Sequence, residues 1–249
     1  MSSRITTFFL PSLLNPPDES WYSCTAVVID ILRASSTMIT ALANGASAIH
    51  PCLEVDEARA LKERLDDALV GGERGGKPIE GFDCSNSPVD YSSDRVKGRP
   101  VVFTTTNGTF ALSRVSNCRE VLIGAFLNLS ALCDGLRECR DVVLLCAGTN
   151  GRVTREDVLF SGAVADRLTA ANPAAVYNDE TRLAISAWRD VARQAGDLKK
   201  NLARSLQDTL GGRNLMKLGY VEDLDRVAEV DRYEIVPKWS QEQARIKVP

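Results

Sequence analysis

Short apolar runs rich in β-branched residues alternate along this chain with segments whose apolar residues recur at helical spacing. The strand-like runs lie at residues 5–10, 25–31, 46–50, 101–105, 120–124 and 141–146, with a last one at 233–236. The helical patterns lie at 36–44, 56–69, 110–115, 129–139, 154–171, 181–195 and 198–210. Alternation of this kind is typical of βαβ units. It predicts an α/β fold, in which a mostly parallel β-sheet carries helices on both faces and forms three layers.

Residues 25–50 and 100–124 share one order of parts: strand, polar turn, short helix, strand. This weak internal similarity suggests two similar βαβ halves. The chain of 249 residues has no low-complexity tract and no linker rich in Pro, Gly or Ser. We therefore predict a single domain over residues 1–249, with a pseudo-repeat at these two segments.

The charge and hydropathy of the chain argue against several classes of partner. The 30 Lys and Arg residues and 33 Asp and Glu residues leave a formal net charge of -3, whereas nucleic acids and membrane surfaces attract concentrated basic charge. No apolar run reaches the roughly 20 residues of a membrane helix, and the apolar stretch near the N-terminus is too short for a secretory signal. We expect a cytoplasmic protein without a nucleic-acid or membrane partner, and a homodimer as the commonest assembly.

Cysteine and histidine usage narrows the chemistry further. The 7 cysteines contain no C-x-x-C pair, and the 1 histidine, His50, precedes Pro51 at the end of an apolar run. This usage favours buried thiols over zinc or disulfides and argues against catalysis by Ser-His-Asp or Cys-His. One thiolate scheme stays open, since Cys146 and Arg152 form the C-x5-R string of the cysteine-dependent phosphatases. The residues that flank this string in those enzymes are absent.

Polar residues follow three of the predicted strands at the point where each strand ends. Asp30 and Arg33 lie at the end of the strand predicted at 25–31, residues 104–109 at the end of the strand at 101–105, and residues 146–152 at the end of the strand at 141–146. Because ligands bind outside the carboxyl ends of parallel strands, we expect these residues on one rim. Two interpretations of Asp30 stay open. It either forms an ion pair with Arg33, or it has a functional role as a Mg²⁺ ligand or catalytic carboxylate.

The second of these turns leads directly into a helix. Free N–H groups at a helix start form a site for phosphate or another oxyanion, while the alternative is ordinary capping. The residues concerned are Thr105, Thr106, Asn107, Gly108 and Thr109. Arg74, between two glycine pairs, either grips an anion or lies in a solvated loop. Glu156 and Asp157 begin the helix after the third turn, where acids suit either the helix dipole or Mg²⁺.

Taken together, these strings resemble the 2-phosphosulfolactate phosphatase family. The matching strings in chain order are 28–37 (VIDILRASST), 71–75 (GGERG), 81–88 (GFDCSNSP), 104–109 (TTTNGT), Asn128, 146–148 (CAG) and 156–157 (ED). Residues 218–219, 223–224 and 236–237 continue the resemblance to the tail. Cys84 and Ser85 depart from the family's string, which more often has an aromatic or small residue and Gly there.

The resemblance implies a Mg²⁺-dependent phosphatase that hydrolyses the phosphate ester of 2-phospho-3-sulfolactate to 3-sulfolactate and phosphate, as in coenzyme M biosynthesis. Asp30 would bind the metal or act as nucleophile, with Glu156 and Asp157 as further metal ligands. Arg33 and Arg74 would hold the small anionic substrate.

Residues Thr105–Thr109 and Asn128 would cradle the phosphate or the sulfonate. Three alternatives to a Mg²⁺-dependent 2-phosphosulfolactate phosphatase stay open. The substrate could be another small phosphorylated hydroxy acid, the mechanism could use the thiolate of Cys146 with Arg152, or the protein could be a non-catalytic anion-binding module.

Overall fold

The computed structural model describes residues 3–14 and 22–249, and its strands form one sheet. The strands are β1 (Arg4–Phe8), β2 (Thr25–Ile29), β3 (Ala48–Cys52), β4 (Leu69–Gly72), β5 (Pro100–Thr104), β6 (Glu120–Gly124), β7 (Asp141–Cys146), β8 (Val176–Tyr177), β9 (Lys238–Ser240) and β10 (Arg245–Lys247). The α-helices are α1 (Ala34–Ala43), α2 (Val55–Arg64), α3 (Ser93–Val96), α4 (Gly108–Val115), α5 (Leu129–Leu136), α6 (Arg155–Ala171), α7 (Asp179–Ala192), α8 (Leu198–Gln207), α9 (Leu210–Lys217) and α10 (Val221–Val227).

The sheet consists of two parallel groups joined by an antiparallel hairpin. Its strand order is β4-β5-β3-β10-β9-β6-β2-β7-β1-β8. Strands β4, β5 and β3 run parallel, as do β6, β2, β7, β1 and β8. The hairpin of β9 and β10 pairs antiparallel with β6 on one side and β3 on the other. The α/β fold with a mostly parallel sheet, predicted from the sequence, is confirmed.

The two segments of the predicted pseudo-repeat cross the sheet in opposite directions. The first starts in the larger parallel group at β2 and ends in the smaller one at β3, whereas the second starts at β5 and ends at β6. Their helices α1 and α4 contact each other over the middle of the sheet. The prediction of a single domain with two similar halves stays a prediction.

Helices cover the centre of the sheet, where the main core lies. All residues of β2 are buried, so both faces of this strand are covered, as the apolar run that follows Thr25 predicts. Phe126 and Phe160 meet edge to face with ring centroids 5.2 Å apart, and Trp188 lies 5.6 Å from Phe126. Each fully buried side chain of this kind contributes about 1.5–3 kcal/mol to folding. Within the described residues, no helix is both long and apolar enough to cross a membrane.

Two predicted elements were wrong. The helix predicted at 56–69 ends at Arg64, and the strand β4 follows it. Gly71 and Gly72 lie in this strand, and both positions require glycine, because a Cβ at 71 would collide with the Tyr91 hydroxyl and a Cβ at 72 with the Thr104 main chain. The last strand, predicted at 233–236, lies instead at β9 and β10, which are too short to show an apolar alternation in the sequence.

Candidate functional site

A cavity of about 340 Å³ opens at the carboxyl ends of the central strands. Polar residues from the turns after β2, β5 and β7 line it together. The parallel topology predicts this for the neighbours β2 and β7, whereas β5 belongs to the group that runs in the opposite direction across the hairpin. These lining residues are Asp30 and Arg33, Thr106 and Asn107, and Thr149 and Asn150. The cavity therefore collects groups from three turns that are well separated in the chain.

Asp30 is a buried carboxylate on the cavity wall, with 7% of its surface exposed. One of its oxygens accepts a hydrogen bond from the Ala34 amide at 3.3 Å, and its own amide donates to the Ser35 hydroxyl at 2.9 Å. Burial raises the pKa of this carboxyl to about 7, and the charge of Glu73 adds to the rise. A cation in the cavity would restore the ionised form.

Glu73 lines the cavity as well, although it was not among the site residues predicted from the sequence. Its Oε1 accepts from the Thr106 amide at 2.8 Å, and its Oε2 accepts from the Gly76 amide at 2.6 Å. This carboxylate thereby joins the glycine-rich loop after β4 to the turn after β5. An acid inside a glycine-rich stretch was the available signal, but the missed strand β4 hid the fact that it follows a strand end.

Arg33 lines the cavity with a guanidinium that the rest of the chain holds in place. Its Nη1 forms an ion pair with Asp223 of α10 at 2.6 Å, and both side chains are 2% exposed. Its Nη2 donates to the Gly76 carbonyl at 3.3 Å, and the group lies over the Tyr220 ring, 4.3 Å from the centroid. Asp223, not Asp30, is thus the ion-pair partner of Arg33. Because a guanidinium carries five N–H donors, others remain for an anion in the cavity.

The turn from β5 into α4 divides between lining the cavity and holding its own shape. Thr106 and Asn107 line the cavity, and Asn107 Oδ1 accepts from the Asn150 amide at 3.1 Å. Thr105 and Thr109 are buried and bond to each other, the Thr109 hydroxyl donating to the Thr105 carbonyl at 2.7 Å. Thr106 and Asn107 are therefore the residues of this segment that a ligand in the cavity could contact, whereas Thr105 and Thr109 stabilise the turn.

Gly108 lets the start of α4 approach the cavity carboxylate. A Cβ at this position would lie 2.6 Å from Ala34 Cβ and 2.8 Å from Asp30 Oδ2. Any larger residue would push α4 away from α1. The starts of both helices, with their positive dipole ends, thus lie beside Asp30.

The structure does not bring Arg74 and Asn128 to the cavity. The Arg74 guanidinium donates to the Thr104 hydroxyl at 2.8 Å and to the Leu53 carbonyl at 2.7 Å, at the ends of β5 and β3. Asn128 is fully buried, accepts from the Ala125 amide at 3.0 Å and donates to the carbonyls of Ile123 and Ile235. Both side chains bond to the surrounding protein, so the geometry does not support the substrate contacts expected from the sequence.

The side chain of Asp157 bonds to the protein around it and does not line the cavity. Its Oδ1 accepts from the Ile31 amide at 2.9 Å, and its Oδ2 accepts from the Gly148 amide at 3.0 Å and the Thr154 hydroxyl at 3.1 Å. Burial raises its pKa well above the ordinary value, and the charge of Asp30 adds to this. Asp157 is not among the residues that line the cavity, and its two oxygens hold the ends of β2 and β7 together.

Glu156 is the other acid at the start of α6, and its situation differs. The residue is 1% exposed, and its Oε2 finds no hydrogen-bond partner in the part of the chain that the structure describes. Burial raises the pKa of this carboxyl. Gly211 of α9, which lines the cavity, lies directly against it, since a Cβ at 211 would collide with Oε1. A carboxylate oxygen without a partner next to the cavity fits a cation there.

Cys146 does not have the environment of a nucleophile. It is fully buried at the end of β7 and does not line the cavity. Burial raises the pKa of its thiol well above the ordinary value, and the charge of Asp157 adds to the rise. Arg152 is exposed, and its amide donates to the Thr149 carbonyl. A protonated buried thiol cannot attack phosphorus, so the geometry argues against the thiolate mechanism.

The acidic residues of the site fit a magnesium ion shared with the substrate better than a complete protein cage. Asp30 and Glu73 line the cavity, and Glu156 lies behind it with an unpartnered oxygen. Among residues 3–14 and 22–249, no three His, Cys, Asp or Glu side chains are arranged around one metal position. Mg²⁺ usually takes only one or two carboxylates and completes its shell with water and phosphate oxygens. The donor set present is of that kind.

Helix α9 supplies further lining residues from the C-terminal part of the chain. Asn214 and Lys217 line the cavity together with the turns of the sheet. Sequence reasoning missed both, because an Asn and a Lys on an amphipathic helix look like ordinary surface residues. The cavity thus presents carboxylates beside cationic and amide groups, an arrangement that can bind a metal ion and a polyanion together.

Comparisons with known proteins agree with this geometry. A family model described as 2-phosphosulpholactate phosphatase matches residues 12–242. Relatives named "Probable 2-phosphosulfolactate phosphatase" include one from Thermotoga petrophila, 38% identical over 213 residues, which is 86% of this chain and 88% of the relative. Another, from Caldanaerobacter subterraneus, is 39% identical over 219 residues, or 85% and 86% of the two chains. A third, from Pseudothermotoga lettingae, is 35% identical over 243 residues, or 96% and 97%.

The family match spans the cavity-forming strands, the glycine-rich loop and the C-terminal helices together. The relatives cover nearly their own full length as well, so the likeness does not rest on one shared segment. By these comparisons, the chain belongs to the 2-phosphosulfolactate phosphatase family.

Proposed function

We propose that this protein is a Mg²⁺-dependent phosphatase that hydrolyses the phosphate ester of 2-phospho-3-sulfolactate to 3-sulfolactate and phosphate. The observation that carries the proposal is the cavity in which Asp30 and Glu73 lie beside Arg33 and the start of α4. A substrate with phosphate, sulfonate and carboxylate groups needs such a combination, because its charges must be neutralised on several sides at once.

Asp30 and Glu73 would hold the magnesium ion, with Glu156 behind them. When bound, the ion polarises the phosphoryl oxygens and offsets the charge that develops during hydrolysis. Asp30 is suited to this because an adjacent cation lowers its raised pKa and keeps it ionised at neutral pH. Glu73 fixes the position of the Thr106 amide while it contributes its own charge.

Anion binding would fall to the opposite side of the cavity. Thr106 and Asn107 lead into α4, whose first N–H groups have no acceptor within the helix and face a negative group favourably. Arg33 would hold a second anionic group in the orientation fixed by Asp223. Lys217 of α9, which lines the same cavity, adds a further positive charge. Positioning and charge neutralisation of this kind account for most of the rate enhancement in phosphoryl transfer.

Phosphate release from a panel of phosphorylated hydroxy acids, with Mg²⁺ or with EDTA, tests the proposal. We expect release from 2-phospho-3-sulfolactate to be the fastest, to need Mg²⁺ and to be lost in Asp30→Asn. The matched control is Asp94→Asn, which changes an exposed acid of α3 and should leave the rate unchanged. Full activity in EDTA, or equal rates for the two variants, would contradict the metal site.

The same assay separates the alternatives. A non-catalytic anion-binding module would bind inorganic phosphate in calorimetry but release none from any ester. A phosphatase for another hydroxy acid would show its highest kcat/KM on a different member of the panel. The coenzyme M context, the cytoplasmic location and the homodimer stay predictions.

A further inference from the structure

Two cysteines lie side by side at the end of the sheet opposite the cavity. Cys24 directly precedes β2, and Cys118 lies in the turn between α4 and β6. Strands β2 and β6 are parallel neighbours, with Thr25 opposite Glu120 at their amino ends. This register places the Sγ atoms of Cys24 and Cys118 3.2 Å apart.

The separation is close to that of a disulfide. An S–S bond is about 2.05 Å long, so the two sulfurs need to approach by roughly 1 Å, within the reach of small side-chain rotations. All seven cysteines lie in the described ranges, and no second pair of sulfurs there makes a hydrogen bond. The pair is therefore distinguished from the other cysteines by its geometry.

The two thiols also differ in environment. Cys24 lines a small cavity of about 140 Å³ with Arg4 and Asp141, which a small oxidant can enter. The hydrogen bond between the two sulfurs lowers the pKa of Cys24, while the pKa of Cys118 is raised. The more acidic thiol reacts faster with peroxides, and a neighbouring thiol then resolves the product.

We propose that Cys24 and Cys118 form a redox modification site, in which hydrogen peroxide converts the two thiols to a reversible disulfide. In the first step, the Cys24 thiolate attacks one peroxide oxygen, the O–O bond breaks, and the departing hydroxide takes up a proton to leave as water. This step produces a sulfenic acid on Cys24.

In the second step, the Cys118 thiol loses its proton, and its sulfur attacks the Cys24 sulfur to form the S–S bond. The S–O bond breaks, and the hydroxide leaves as water with that proton. Overall, two thiols are oxidised by two electrons, and one peroxide is reduced to two waters. A dithiol reductant reverses the bond by thiol–disulfide exchange.

The disulfide would tie the start of β2 to the turn before β6, which lie 94 residues apart in the chain. Cross-links that close long loops restrict the unfolded chain most and so raise stability. Because the phosphate-binding turns lie at the opposite ends of these strands, catalysis should not change. Oxidation is thus expected to raise the melting temperature without altering phosphate release.

The test treats the full-length protein with hydrogen peroxide and counts free thiols after denaturation. We expect two of the seven thiols to disappear, a peptide linking Cys24 to Cys118 in mass spectra, and full recovery with dithiothreitol. The melting temperature should rise on oxidation in the wild type and in the control Cys139→Ser, whose cysteine is also partly buried. It should not rise in Cys118→Ser.

A second measurement keeps the test independent of the stability of any variant. In Cys118→Ser, dimedone should label a sulfenic acid on Cys24, because the resolving thiol is gone. Seven remaining thiols after oxidation, a disulfide between other cysteines, or no dimedone adduct on Cys24 would each overturn the proposal. None of these outcomes depends on the phosphatase assay, so the two proposals can fail separately.

Discussion

The buried ion pair between Arg33 and Asp223 offers the sharpest quantitative prediction. Asp223→Asn removes one charge and keeps the size of the side chain, which leaves the Arg33 guanidinium without its counterion in a site where both groups are 2% exposed. Breaking a buried pair in this way costs about 3–5 kcal/mol. The Tyr220 ring still lies against the guanidinium at 4.3 Å, so we expect the lower end, about 3 kcal/mol.

A matched pair on the surface provides the control. Arg189 and Asp166 are 2.7 Å apart, almost the same distance, but their side chains are 44% and 26% exposed. Asp166→Asn should therefore cost only about 0.2–1 kcal/mol. The comparison isolates burial, since the chemistry of the two pairs is the same.

Thermal unfolding measures the difference. For a chain of this size each kcal/mol lowers the melting temperature by about 2–4 °C, so Asp223→Asn should lose roughly 6–12 °C. In phosphate-release kinetics the same variant should raise KM more than it lowers kcat, because Arg33 is still present but no longer held in position. Equal losses of stability in Asp223→Asn and Asp166→Asn would refute the reasoning from burial.

Three further predictions follow from individual contacts. Gly108→Ala should lower the free energy of unfolding in urea by about 1–3 kcal/mol, because the new Cβ would collide with Ala34 and Asp30. The control Gly135→Ala should be neutral or stabilising, because a Cβ there meets nothing within 4 Å. Equal effects of the two substitutions would contradict the packing argument. Because its raised pKa keeps the Cys146 thiol protonated, iodoacetamide at about pH 8 should not alkylate Cys146, as peptide mass spectra can check. Alkylation of Cys146 together with loss of activity would support the thiolate mechanism instead. Asp30, whose pKa is about 7 when folded, holds its proton more tightly folded than unfolded, so its contribution to stability falls as pH rises from about 4 to 7. Mg²⁺ should therefore raise the melting temperature more at about pH 8 than at about pH 5, and a shift that is the same at both would count against Asp30 as a ligand.

The sequence by itself determined the fold class and the main edge of the site. Apolar runs alternating with helical periods require a parallel sheet, and parallel strands present their carboxyl ends on one edge. This rule places Asp30 and Arg33 beside Thr149 and Asn150, because β2 and β7 are parallel neighbours. For these two strands the signal is local, a buried strand ending in polar residues, and needs no knowledge of tertiary contacts. Thr106 and Asn107 follow β5, which runs in the opposite direction, so their place in the cavity depends on the contact of α4 with α1.

Only the tertiary structure decided which side chains face the cavity and which face the protein. Arg74 and Asn128 have residue types suited to an anion, yet main-chain and hydroxyl groups from distant strands engage both of them. Glu73 lines the cavity because β4 pairs with β5. Arg33 pairs with Asp223 of α10, although Asp30 is only three residues away in the chain. Partner choice of this kind depends on which segments meet after long loops close, and periodicity along the chain carries no information about that.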